Sequence, residues 1–176
     1  MSALRRLACA LALVAVTPAA LADIHFRKWD DDDPDVPTWQ EGEVTLPASP
    51  KEENLLEFYV SELTTNRFFI DGQSINVGGD GVVRFTLVVK TSGGARNVSF
   101  EGIRCGAMEY RLYATGRTDG TWAKARTTEW KPIENKPINR HHASLSRDYF
   151  CPSALAIGNP EEGRDALRRG KHPDAK

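Results

Sequence analysis

The clearest pattern in the chain is a two-residue alternation from Val82 to Lys90. Val83, Phe85, Leu87 and Val89 fall on one side, and Arg84, Thr86 and Lys90 on the other, the period of a strand with two unlike faces. Before it, Leu56, Phe58 and Val60 alternate with Leu55, Glu57 and Tyr59, and two short runs follow, Arg67-Phe68-Phe69-Ile70 and Gln73 to Val77. The Asp71-Gly72 dipeptide between those runs predicts a tight hairpin, because both central residues of a type I′ turn need positive φ. Gly78-Gly79-Asp80-Gly81, Gly93-Gly94 and Asp119-Gly120 mark further turns. Between them lie strands over Arg96 to Cys105, Met108 to Thr115 and Trp122 to Arg126. In the first of these the apolar phase slips at Gly102, from Val98 and Phe100 to Ile103 and Cys105, which predicts a bulge.

These runs predict one antiparallel meander from Arg67 to Arg126, with Phe85, Leu87, Phe100, Tyr110 and Leu112 in its core. Pro132 and Pro137 then mark a long connection, and Ser144 to Phe150 reads as a short helix that brings Cys151 to the sheet. A second helix opens at Asn159, with Pro160 first and Glu161 and Glu162 in its first turn, and closes on Arg168, Arg169 and Gly170. The fold class is α+β, mainly antiparallel β: a meander or partial barrel of about seven strands with a C-terminal helix.

The first residues read differently. Arg5 and Arg6, the apolar run Leu7 to Val16 and the small-x-small site Ala20-Leu21-Ala22 have the layout of a cleavable secretory leader over residues 1–22. The run is too short to span a bilayer, and no stop-transfer segment follows it. Cys9 sits too early in the leader for a lipid anchor. The chain is thus expected in the periplasm, with no transmembrane segment after cleavage. Residues 23–50 read as an extended acidic arm, with Asp30 to Asp33, Asp35 and four prolines, flanked by Trp29 and Trp39 as possible pins. Residues 51–170 make one β-rich domain, and 171–176 a disordered tail.

After leader removal two cysteines remain, Cys105 and Cys151. In an oxidising compartment the pair reads as one disulfide, the alternative being two buried thiols. Charge is split along the chain: from Asp23 to Val83 there are 4 basic and 14 acidic residues, and from Arg84 onward 17 and 10. An acidic arm folded over a basic face is one reading of that split; a solvated arm is the other.

Little in the chain matches a known chemistry. Gly78-Gly79-Asp80-Gly81 lacks the Lys-Ser/Thr of a phosphate loop, and a strand follows it rather than a helix. His141-His142 is the only histidine pair; on an extended segment neighbouring side chains point apart, and no third ligand lies at metal spacing, so no metal site and no cofactor is read. Ser144 and Ser146 near His142 lack the geometry of a nucleophile elbow. One constellation stands out: Arg84, Arg111 and Tyr113 on the polar strand face, with Trp122, Lys124 and Arg126 from the next hairpin. Cations mixed with aromatics on a sheet can hold an anionic or glycan ligand, although the same mix is common on a solvated face. The slightly acidic balance argues against nucleic acid.

Several segments occur together in a known order. They are Arg67 to Gly72, Val82 to Lys90, Ala95 to Cys105, Tyr113-Ala114-Thr115-Gly116-Arg117 with Trp122, and Asp148-Tyr149-Phe150-Cys151-Pro152. In that order they resemble the cryptic neisserial protein family of β-proteobacteria, over about Leu55 to Pro152. The resemblance implies an exported domain and assigns no catalytic residue. Two function classes follow: a non-enzymatic binding or assembly module of the cell envelope, whose partner is an envelope protein or an anionic or glycan ligand, and a periplasmic hydrolase. A pocket holding a carboxylate beside His141 or His142 would favour the hydrolase; a flat basic-aromatic sheet face would favour the module.

Overall fold

The alternating run forms the central strand of the molecule. In the computed structural model, which describes residues 38–176, this strand (β4, Val82–Lys90) lies antiparallel to Arg96–Arg104 (β5) along its whole length. The leader, Cys9, Trp29 and the acidic residues Asp30 to Asp33 and Asp35 lie outside the described residues. The other strands are Leu55–Phe58 (β1), Arg67–Asp71 (β2), Asn76–Val77 (β3), Glu109–Gly116 (β6), Trp122–Lys124 (β7) and Lys131–Pro132 (β8). They make one open, wholly antiparallel sheet of eight strands in the order β1-β2-β4-β5-β6-β7, with β3 beside β4 and β8 beside β6. This is the meander form of the expected α+β fold.

Three of the expected turns are hairpins. Gly81, Gly94 and Gly120 each adopt positive φ, at 76°, 85° and 82°, where a side chain would be strained. Asp71-Gly72 is not a hairpin. Both β2 and β3 pair with β4, so the chain between them is an excursion within a single interrupted strand. Asp71 closes it as a side-chain turn, its Oδ1 accepting the Gln73 N–H at 3.0 Å, and the Ser74 hydroxyl takes the Thr86 N–H at 2.7 Å in place of a ladder carbonyl. An Asp side chain that bonds its own backbone two residues on competes with the type I′ turn for the same dipeptide.

The bulge also falls elsewhere than at Gly102. β5 is regular, and the register shift lies opposite Phe100 and Glu101, where Tyr113 is the extra residue on β6. Phe100 and Ile103 are both buried because both faces of the sheet are covered. Directly paired residues share a face, so Val83, Phe85 and Leu87 stand with Ile103, Glu101 and Ser99, and Arg84, Thr86 and Val88 with Gly102, Phe100 and Val98. Phe100 therefore belongs to the face opposite the other residues expected in one core.

Helices cover the first face. Arg140–Ser144 (α1) runs on as a wider π-helical turn over Leu145–Phe150, so the helix starts four residues before the expected Ser144. Phe150 packs on Phe85 with ring centroids 5.2 Å apart, and Leu145, Tyr149 and Ile157 are buried beside it. The last helix (α2, Pro160–Arg169) has the expected ends: Asn159 Oδ1 accepts the Glu162 N–H at 3.0 Å, and Gly170 terminates it at φ 79°. Beyond it, in the segment read as a tail, His172 is buried, bonds Glu162 through Nε2 at 2.9 Å and donates its backbone N–H to Asp148 O. Cys105, just past β5, is disulfide-bonded to Cys151 at the end of the π turn, with Cα atoms 5.4 Å apart.

The bond closes a separation of 46 residues, for which loop entropy gives about 4 kcal/mol. Cys105→Ser should destabilise the domain by about 2–5 kcal/mol in urea melts, and alkylation of the native domain should leave both cysteines unlabelled in the intact mass. Leu87, 2% exposed in the core, should lose about 2–5 kcal/mol on replacement by Ala; a loss below about 1 kcal/mol would mean that the face assignment is wrong.

Candidate functional site

Each face of the sheet buries charge, and the two clusters differ in the groups they bring together. On the face away from the helices, Arg84 and Arg111 project from β4 and β6, and the bulge sets Tyr113 beside them. Gly102 makes room for that ring: a Cβ there would come within 2.6 Å of the Tyr113 hydroxyl. These are three residues of the sequence-derived ligand face, and the chain itself occupies them. Residues 39–50 run without regular secondary structure along this face. The Glu41 carboxylate accepts from Arg111, from the Tyr113 hydroxyl at 2.5 Å and from Arg84 at 3.4 Å.

Further contacts hold this strap. Trp39 Nε1 donates to the Asp80 carbonyl at 2.9 Å, Gly42 N–H to Asp80 Oδ2 at 2.8 Å, and Trp122 Nε1 to the Pro47 carbonyl at 2.8 Å. Arg104 lies 4.2 Å from the Trp39 ring centroid, and Trp130 meets Trp39 edge-on at 5.9 Å. Trp122 thus belongs to the strap contact, while Lys124 and Arg126 are exposed and stand apart from the cluster. Glu41, Asp80, Arg104 and Trp130 completed the cluster without being legible in the sequence, since an isolated Glu in a proline-rich segment has no periodicity to mark it.

Asp80 joins the two halves. It pairs with Arg84 at 2.5 Å, both side chains being about 5% exposed or less. Burial works against its carboxylate, but Arg84 and the N–H groups of Gly42 and Val82 outweigh that and hold the group at about 2. Burial and the neighbouring Glu41 carboxylate push the Tyr113 phenol upward, so it stays a donor.

On the helix face, Glu101 of β5 meets α1. His142 Nε2 lies 2.7 Å from Glu101 Oε2, and the Ser99 hydroxyl donates to Glu101 Oε1 at 2.5 Å. His141 and His142 do not point apart as expected for an extended segment. They lie on a helix, their ring centroids are 4.0 Å apart, and one donor atom from each lies within 4.8 Å of the others and of a Glu101 oxygen. Aromatic rings fix both imidazoles: Tyr110 stacks on His142 at 3.8 Å and Phe68 on His141 at 5.5 Å. Burial, then the charge of His142, push His141 down to about 4 against the pull of Glu101, so it is a neutral imidazole at neutral pH. Burial alone would raise Glu101, but His142, His141 and Ser99 outweigh it and keep the carboxyl below its ordinary range. Glu101 was missed because a single acid in an alternating strand reads as solvent-facing; its cross-strand partner Phe85 and the helix above bury it.

His141 also lines a cleft of about 500 Å³ between the 60–66 and 137–141 segments. Phe68 and Val89 give it apolar walls, Asn66, Asn97 and Arg140 supply polar groups, and Arg140 donates to the Ser61 hydroxyl at 3.1 Å. Leu63 and Ile138 line the same cleft and are 84% and 81% exposed.

Two outcomes test the strap. Glu41→Gln takes the carboxylate from the half-buried Arg111 and the more distant of two from Arg84, and should cost about 1–3 kcal/mol in urea melts; a loss under about 0.5 kcal/mol, the range of an ordinary surface change, would show that residues 39–50 are not docked. Asp80 titrates lower in the folded than in the unfolded chain, so it adds stability above its unfolded value, and this is lost as pH falls toward about 2. Asp80→Asn should therefore lower stability at neutral pH and flatten its decline below about pH 4, read as urea midpoints across an acid series.

No curated protein and no solved structure matches the chain. Residues 34–168 match the CNP1-like family, a span that takes in the Glu41 strap, the whole sheet, both cysteines and most of α2. The strap and the disulfide-tethered helix thus lie within the family's own span, and the chain belongs to the CNP1-like family.

Proposed function

We propose that this protein is an exported, non-enzymatic binding module of the bacterial cell envelope, working in the periplasm after removal of residues 1–22, and that it takes its partner in the cleft beside His141. The observation that carries this reading is the pair Leu63 and Ile138, exposed at 84% and 81% on one cleft. Large apolar side chains left in water together, beside a concave surface with a few convergent polar groups, mark a binding site. Arg140 is the cationic group of the lining, and among the described residues no carboxylate lines the cleft, so a ligand carrying an apolar part and an anionic group fits it best.

Export is supported by the three-part leader and by a disulfide, which persists in oxidising compartments. Among the described residues no helix is long and apolar enough to cross a membrane. A β-proteobacterial source of the neisserial type belongs to the same proposal and rests on the ordered sequence markers. The hydrolase alternative asked for a carboxylate beside a histidine within a pocket. His141 reaches the cleft, but Glu101 lies behind it, 6% exposed and engaged by His142 and Ser99, which leaves no general acid or base pair open to a substrate. The basic-aromatic face does not serve as the ligand site in this reading, because Glu41 already fills it.

The test uses the leader-cleaved protein immobilised on a matrix and presented with a periplasmic and outer-envelope extract. Wild-type protein should retain a discrete component that a Leu63→Asp, Ile138→Asp double variant and an Arg140→Gln variant do not, while Lys124→Gln, Arg126→Gln retains it in full. The first two changes lie in exposed positions and should move stability by no more than about 0.5 kcal/mol each. Equal retention by the cleft variants, or loss only with the Lys124 and Arg126 changes, would reject the cleft as the site.

A further inference from the structure

The Glu101–His141–His142 cluster is more than an ion pair. A buried Glu–His dyad needs one imidazole nitrogen to meet the carboxylate, which His142 Nε2 supplies. His142 Nδ1 is buried too, and it has no hydrogen-bond partner among the described residues. Buried polar groups are normally partnered, and this imidazole, 4% exposed, is partnered among the described residues on the Glu101 side alone. The second imidazole is likewise surplus to a dyad: His141 stands in the same cluster with Phe68 stacked on its ring. Two rigidly held imidazoles and one carboxylate whose other oxygen is fixed by a serine hydroxyl have the composition of a metal centre with its supporting shell.

We propose that Glu101, His141 and His142 form a binding site for a divalent transition-metal ion of the zinc type at the inner wall of the cleft. Two nitrogens and one oxygen suit borderline cations such as Zn²⁺ and Co²⁺ over Ca²⁺ and Mg²⁺, which favour all-oxygen shells. Bond lengths near 2.0–2.2 Å place the donors of a tetrahedral zinc about 3.3 Å apart. The three donor atoms here lie within 4.8 Å of one another, and the closest pair is at 2.7 Å, so the set has to adjust by up to about 1.5 Å to reach that spacing. The ion takes the place of the hydrogen between His142 Nε2 and Glu101 Oε2, and the imidazole proton sits on Nδ1, the tautomer that a metal-bound Nε2 requires. Charge balance is favourable, since the carboxylate offsets part of the cation in a buried setting. Three protein donors leave a coordination position for a water or a ligand atom, and His141 connects the site to the cleft. This assignment does not depend on what the cleft binds, and its probe is the metal alone.

The test uses the full leader-cleaved, disulfide-bonded protein without an affinity tag, stripped with a chelator and titrated with Zn²⁺ by calorimetry and with Co²⁺ by visible absorption. The expected result is one saturable ion per chain, with Co²⁺ bands of a low-coordinate nitrogen–oxygen site, displaced by Zn²⁺. His141→Gln should weaken binding by at least roughly 10-fold and alter the Co²⁺ bands. Because that side chain is only half-buried, the variant is expected to fold, which its disulfide and near-ultraviolet dichroism would confirm. Glu101→Gln should act likewise where it folds. His25→Gln, His172→Gln, and a form with Asp30 to Asp33 changed to Asn serve as controls for the other two histidines and the acidic run, and should bind as wild type. Absence of saturable binding, or binding that follows the control variants and ignores His141→Gln, would overturn the site.

Discussion

A single sheet whose two faces are both too apolar for water must be covered twice. β4 shows the constraint most sharply, since Val82 to Val88 are all buried, the polar Arg84 and Thr86 included. A domain of this length has material for one helical layer, and α1 with its π extension and α2 provide it. The second cover is far thinner: residues 39–50 lie on the opposite face as extended chain. An extended strap buries little apolar area per residue, so its adhesion has to come from a few strong polar contacts. The Glu41 carboxylate, engaged by two guanidinium groups and a phenol, provides them, and charge-assisted hydrogen bonds are about twice as strong as neutral ones. Without the strap, Arg84 would be left with Asp80 on a half-open surface and Phe100 would meet water.

That constraint also explains what could and could not be read from the chain. Alternation in β4 and β5, the glycine turns at Gly81, Gly94 and Gly120, and the cap and stop signals of α2 are local, and each survives into the fold. The errors come from tertiary context. Arg84 and Thr86 read as a solvated face because strand period separates the two faces without saying whether the second is covered. Phe100 and Ile103 read as a phase slip because a one-sided sheet was assumed, whereas both positions are buried by different layers. Asp71-Gly72 carries the letters of a hairpin, yet β4 is long enough to pair with both flanking segments. The His141-His142 pair reads as divergent on extended chain, and only the helix that carries it closes the rings to 4.0 Å. Glu101 has no signal of its own; its role arises when α1 lands on it, 40 residues further along the chain.

The two charged clusters follow from the same architecture, and their difference is chemical. On the strap face each carboxylate is engaged by cations and the arginine planes lie over Tyr113, Trp39 and Trp130, while Nε of Arg84, Arg104 and Arg111 and Nε1 of Trp130 have no hydrogen-bond partner among the described residues. Such a network fixes geometry more than it adds stability, since buried pairs gain little over apolar packing although breaking one is costly. On the helix face the carboxylate is satisfied but the imidazoles are not, one nitrogen having no partner and the second ring having no ionic role of its own. The strap cluster is covered by the chain itself, whereas the helix-face cluster reaches an opening through His141.

An external anion seeking Arg84 and Arg111 would compete with Glu41 within the same chain. A tethered group acts at an effective concentration that reaches millimolar for short flexible links, and here the tether is pinned on both sides, by Trp39 on Asp80 and by Trp122 on Pro47. Displacement would also require the strap's aromatic contacts to be given up and Phe100 to be exposed. A weak anionic ligand cannot meet those terms, since single exposed ion pairs contribute only about 0–1 kcal/mol. Among the described residues the cleft carries no such internal competitor: Leu63 and Ile138 are exposed, and Arg140 donates to a serine hydroxyl. The face richest in charge is thus engaged by the fold itself, and for that reason the proposed binding site is the more apolar cleft at the edge of the helical layer.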